Sequence, residues 1–168
     1  MTRATLTCAG AGAAILLAAG GARFTVGPFG LARLAILGGA LGLLALHDVR
    51  EHRIPNRIVL PAATICAALS LAEGLHPSSG LYVGAALVAL LLAVSLAAPA
   101  MLGMGDVKLA LLILCALDAF APLALLITLE LYALIALYLL SRRGRAALKM
   151  SLPLAPITAA ACLIVLLL

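Results

Sequence analysis

Six acidic residues interrupt this chain: Asp48, Glu51, Glu73, Asp106, Asp118 and Glu130. Asp48 and Asp106 stand at the edges of long apolar runs, where an ionised carboxylate costs roughly 2.5–3.5 kcal/mol on insertion scales. A carboxylate in that position is a functional candidate by default, unless its side chain reaches back to the interface. If the two face each other, they cannot both ionise, and the pair holds a single proton near neutrality. Such a pair can hydrolyse a peptide. The ionised member takes a proton from water as the water attacks the carbonyl; the protonated member polarises that carbonyl and then protonates the leaving amine. This chemistry requires no metal or organic cofactor. Asp106 also opens a helix, whose N–H groups and dipole favour its charged form, so Asp106 is expected to be the ionised member.

The residues around each aspartate suit that use. Gly103 and Gly105 permit a close backbone approach that side chains would block, and an extended scissile peptide can hydrogen-bond to exposed backbone there. Lys108 lies two residues beyond Asp106 and can either act on its charge or extend to the surface. After Asp48, Pro55 disfavours helix at Ile54 and ends the preceding helix; Asn56 is then placed to cap the next one. As isolated segments, Gly-Met-Gly-Asp and Ile-Pro-Asn are also ordinary turns, so their force lies in the combination.

The elements that carry these residues must lie in lipid. Of 168 residues 66% are hydrophobic and only 10% charged, with a mean hydropathy of +1.29. A soluble domain of this size would lack the polar surface to face water. Alanine and leucine dominate, which suits helices and not alternating barrel strands. A membrane helix needs ~20 apolar residues, and the sequence predicts spans at 4–22, 31–47, 58–73, 81–102, 106–120, 121–140 and 151–168. The expected fold is an all-α polytopic bundle of about seven spans. Residues 1–30 form an extra N-terminal helix and loop, read as retained and not as a signal peptide because further apolar segments follow. Residues 31–168 form the catalytic core.

Lysine and arginine orient the spans. Arg50, Arg53 and Arg57 lie in the 47–57 loop, Lys108 follows the glycine break, and Arg142, Arg143, Arg145 and Lys149 lie in the 141–150 loop. The alternate loops at 73–80 and 118–122 carry neither residue. The basic loops are therefore expected in the cytoplasm, with both aspartates on that side. Arg23 and Arg33 fit less well, since they flank a loop that should be external. From Asp106 to Phe120 a helix rises only ~21 Å, against a hydrocarbon core of ~30 Å. That shortfall predicts Asp106 below the surface, in a dip reached by water.

His47-Asp48-Val49-Arg50-Glu51-His52-Arg53-Ile54-Pro55-Asn56-Arg57 resembles the first catalytic segment of type IV prepilin peptidases, and Gly103-Met104-Gly105-Asp106-Val107-Lys108-Leu109 resembles their second, the G-x-G-D-x-K motif. The interval between them encloses two spans, as in that family. Lys149 to Pro156 is similar to the basic, proline-containing entry into its last helix. The resemblance covers roughly residues 31–168 and is closest to the short members that process Flp-type pilins of tight-adherence systems. It implies that Asp48 and Asp106 are the catalytic aspartates of an aspartic endopeptidase. It also implies cleavage of the basic leader of prepilins at the cytoplasmic face of a prokaryotic plasma (inner) membrane. The partners implied are a prepilin-like membrane protein and the lipid bilayer, with no nucleic acid and no metal. The longer members add a cysteine-bearing cytoplasmic domain and N-methylate the product. That insertion is missing here, so the resemblance gives no support for methylation. The added span at 4–22 departs from the six-helix core.

Other residues take duller readings. Cys8, Cys66, Cys115 and Cys162 are scattered through apolar runs and read as small buried hydrophobes. Glu73 and Asp118 read as external interface residues, and His47 and His52 as loop histidines. Glu130, inside the sixth span, invites a proton-relay reading. With Asp106 it supports an alternative, a small proton-coupled transporter subunit, which needs neither Asp48 nor the Ile-Pro-Asn segment. Another G-x-G-D protease acting on signal-peptide remnants would call for Tyr before the first aspartate and a Pro-Ala-Leu-Pro motif; this chain has His47 and no such motif.

Overall fold

The computed structural model describes residues 3–21, 28–51, 53–74, 78–99, 102–144 and 152–168. Among them every regular element is helical: α1 (Arg3–Gly21), α2 (Pro28–Glu51), α3 (Asn56–Glu73), α4 (Ser79–Ala97), α5 (Met104–Leu117), a 3-10 turn (Asp118–Phe120), α6 (Ala121–Arg143) and α7 (Leu154–Leu167). Three stretches are long and apolar enough to cross a membrane: Pro28–Glu51, Ser79–Ala97 and Met104–Arg143. The last includes α5 and α6, which are broken at Asp118. Arg23, Gly27, His52, Pro77, Arg145 and Lys149, which carried part of the loop reading, lie outside the described residues.

Prolines set most of the boundaries. Pro55 is extended at φ −73°, ψ 124° and Pro153 at φ −70°, ψ 120°, and each immediately precedes a helix. In that position the missing N–H costs nothing, because the first N–H groups of a helix have no intrahelical partner. The Pro55 carbonyl accepts the N–H groups of Ile58 and Val59 to start α3. The sequence places Asn56 as the cap of this helix, but it is the first residue inside it, and no side chain caps it. At α4, Ser78 does cap, accepting the Leu81 N–H at 3.1 Å. Helix α4 stops at Ala97, short of the expected 102, because Pro99 forces Ala98 out of the helical region (φ −138°, ψ 69°). The chain then folds back, and Ser95 Oγ donates to the Leu102 carbonyl at 3.1 Å.

The packing is asymmetric. Helix α2 buries Leu34, Leu37, Leu41, Leu44 and Asp48 along one stripe, the three-and-four spacing of a single helix face. Helix α5 buries most of its length, and α7 buries Ala155, Thr158, Cys162 and Val165. Helix α1 lies against α2 where Gly12 and Gly38 bring the two backbones into contact, the small-residue packing that membrane helices favour. By contrast α4 buries only Gly84 and Ser95, and α6 only Ala121, Ala124 and Thr128. Helix α4 is pinned at its amino end, where Gly80 meets the Ala119 backbone. Farther along, Leu87, Leu90 and Leu91 stand off from α5 and α6 and leave an open cavity between them.

Candidate active site

Asp48 closes the buried stripe of α2, four residues after Leu44, and is 5% exposed. Its surroundings explain how a carboxylate is tolerated there. Pro153, the residue before α7, offers no capping side chain, so the first N–H groups of that helix need an acceptor from elsewhere. Asp48 supplies it: Oδ2 accepts the Ala155 N–H at 2.8 Å. The catalytic candidate is thus also the cap of a helix more than a hundred residues away.

Asp106 sits in the first turn of α5 and is half-buried. Gly103, the residue before that helix, has no side chain to cap it. Instead the Asp106 N–H donates to the Gly103 carbonyl at 3.1 Å, closing the first turn through the backbone, and the Asp106 carboxylate lies beside the Gly103 backbone. Asp48 and Asp106 interact electrostatically and line the same cavity, about 790 Å³ in volume.

The remaining sequence candidates gather at this end. A Cβ on Gly105 would come within 3.2 Å of the Ile54 Cβ, so the glycine lets the two aspartate-bearing segments touch. Ile54 also lines the cavity, and Pro55 fixes the turn behind it. Lys108 Nζ donates to Asn56 Oδ1 at 2.9 Å. The lysine of one motif therefore holds the asparagine of the other, a contact the sequence reading of either residue missed. Arg53, read from sequence as a topology determinant, lines the cavity. Beyond this rim the walls turn apolar: Leu87 and Leu91 from α4, Leu109 and Ile113 from α5, Leu125 and Leu129 from α6.

Other candidates stand apart. Glu130 is exposed on the outer face of α6 and does not line the cavity with Asp106; the buried setting expected for it is not found, because the cavity is lined instead by Leu129 and Tyr132. His47 faces Glu51 at 3.8 Å on the surface. Glu73 and Asp118, read from sequence as interface residues, both pair with Arg33. Among the described residues no three His, Cys, Asp or Glu side chains gather as metal ligands.

An all-helical set of described elements with membrane-length apolar helices and two carboxylates lining one cavity has the makings of a multi-pass membrane hydrolase. Comparison with protein families gives a match to the type IV leader peptidase family over residues 35–140. The chain belongs to the type IV leader peptidase family, and it is a membrane-embedded peptidase whose substrate is itself a membrane protein. The matched segment holds both aspartates and the glycine turn, and it ends before α7. No curated protein and no solved structure matches the chain significantly.

Proposed function

We propose that this peptidase is an aspartic endopeptidase that removes the short basic leader from type IV or Flp-type prepilins, with Asp48 and Asp106 as its catalytic pair. The observation that carries the reading is that both carboxylates, from α2 and α5, line one cavity and interact electrostatically. A water between them loses a proton to the ionised aspartate as its oxygen bonds to the scissile carbonyl carbon. The protonated aspartate gives its proton to the carbonyl oxygen. Collapse of the tetrahedral intermediate breaks the C–N bond, and the leaving nitrogen takes the proton that came from water. A hydroxyl of the intermediate returns one proton to the other aspartate, so the pair again holds a single proton. Each aspartate meets the start of a helix, Asp106 at α5 and Asp48 at α7. The helix-dipole argument therefore applies to both, and the shared proton belongs to the pair.

The apolar cavity suits the hydrophobic stretch that follows a prepilin leader, while the rim at Arg53, Gly103 and Gly105 meets the scissile segment. Arg50, Arg53, Arg57, Arg142 and Arg143 flank the aspartate end and support a cytoplasmic placement in a prokaryotic plasma membrane. In this reading the chain crosses the bilayer seven times with its amino end inside, residues 31–168 form the core, and residues 1–30 add a helix. A proton-coupled transporter is less well supported, because Glu130 lies away from Asp106.

Co-expression with Flp-type pilin precursors tests the proposal, read by the amino-terminal sequence of the recovered pilin. Removal of the basic leader just before the hydrophobic segment is the expected product. Precursors recovered intact in every pairing would overturn the assignment of substrate.

A further inference from the structure

At the end of the bundle opposite the aspartates lies a second polar cluster that the cleavage mechanism does not use. Arg33 on α2 is 8% exposed. One terminal nitrogen donates to Glu73 Oε2 on α3 at 2.7 Å, and the other to Asp118 Oδ2 at the break between α5 and α6. Ser70 Oγ on α3 donates to Asp118 Oδ1 at 3.1 Å. Asp118 has φ 43°, the one positive φ at a non-glycine residue among those described. Its ψ of −108° turns the chain out of α5, and its carboxylate is aimed at Arg33 on α2.

We infer that Arg33 is a positioning residue for cleavage, setting the axial register between α2 and α5 that brings Asp48 level with Asp106. The inference rests on the catalytic reading of those two aspartates. The segment of α2 from Arg33 to Asp48 rises about 22 Å, and that of α5 from Asp106 to Asp118 about 18 Å. Both are stiff rods, so a tie at one end determines the level reached at the other. Between the ends the two helices meet through leucine and alanine side chains, which distinguish poorly between registers one turn, about 5.4 Å, apart. A buried ion cluster is weak evidence for stability, but fixing register is its best-attested use. Arginine suits the task because its fork addresses two carboxylates on two helices at once, which a lysine ammonium cannot reproduce. The cluster also accounts for a cation at the supposedly external end: Arg33 is not a free loop charge.

The test uses full-length Arg33→Gln, Arg33→Lys and Asp118→Asn in detergent micelles, with a recombinant Flp-type pilin precursor as substrate. Rates are measured against substrate concentration and pH. Arg33→Gln and Asp118→Asn are expected to lower kcat by between about tenfold and a hundredfold, the cost of misplaced reacting groups. KM should stay within about threefold of the parent. Carboxylates held farther apart couple more weakly, so the bell-shaped pH profile narrows; Arg53, which lines the cavity with the pair, Lys108, two residues from Asp106, and the surface pair His47–Glu51 are unchanged in these variants. Arg33→Lys should fall between parent and Arg33→Gln. An unchanged kcat overturns the inference, and so does a lower kcat with an unmoved pH profile, which marks a merely structural role. If Arg33→Gln fails to fold, Asp118→Asn, which keeps the shape and backbone tolerance of the aspartate, is judged by the same criteria. Asp48→Asn and Asp106→Asn separate the two levels: cleavage surviving in either refutes the catalytic pair. Cleavage lost in both, with Arg33→Gln behaving as parent, refutes the register device alone.

Discussion

Asp48 Oδ2 accepts the backbone N–H of Ala155 at 2.8 Å, so one carboxylate both faces the cavity and caps the last helix. Asp106 has no such duty toward another helix, since its backbone partner is Gly103 at the start of its own. The two aspartates should therefore differ in what they do for stability. Asp48→Ala orphans a buried N–H and is expected to destabilise the protein by about 1–3 kcal/mol. Asp106→Ala leaves no other helix without its acceptor and removes a half-buried carboxylate, so it should cost less than Asp48→Ala. Thermal unfolding in micelles distinguishes them; equal losses would contradict the capping role.

Lys108 and Asn56 form a contact that joins the two motif segments. Truncating either to alanine should slow cleavage by about threefold to tenfold, the value of one hydrogen bond of roughly 0.5–1.5 kcal/mol. The double variant should be no slower than the worse single one, because both remove the same contact. Additive losses in that cycle would mean that the two residues act independently.

The two glycines of the turn face different neighbours. A methyl group at Gly105 meets the Ile54 Cβ at 3.2 Å, tighter than ordinary contact, and Ile54 is held in place by Pro55. At Gly103 the nearest atom is Asp106 Oδ2 at 3.6 Å, an ordinary distance. Gly105→Ala is therefore expected to cost more than about tenfold in kcat through displacement of the aspartates, and Gly103→Ala much less. Side-by-side kinetics on the same precursor checks the order.

The cavity walls make a prediction about binding and not about chemistry. Leu91 lines the cavity from α4, a helix that carries neither aspartate. Leu91→Asn should raise KM with little change in kcat, the pattern of lost uniform binding. A fall in kcat at constant KM would argue against an apolar substrate segment in that space.

Much of this site was legible in the sequence because its parts are rare in an oily chain. Two aspartates beside a glycine turn and an Ile-Pro-Asn turn stand out where only 10% of residues are charged. The helix break at Pro55 was legible, because proline enforces it. The last span was expected from 151 but α7 starts only after Pro153, and α4 was misjudged because the apolar run continues past Pro99. The Arg33–Glu73–Asp118 cluster was not legible, since Arg33 and Asp118 are 85 positions apart and each looked like an interface charge. Its one trace was Arg33 itself, a cation on the wrong side by the loop-charge rule. The cavity was also hidden, because lipid-facing and protein-facing leucines look alike in sequence and only packing separates them.

The central claim is that Asp48 and Asp106 together cleave the leader. The most direct measurement is leader removal from a co-expressed Flp-type precursor by Asp48→Asn and Asp106→Asn variants that insert at parental levels, read by the amino-terminal sequence of the pilin. Either variant should leave the precursor uncleaved, while the parent gives a leaderless product. A leaderless pilin from either variant would contradict it.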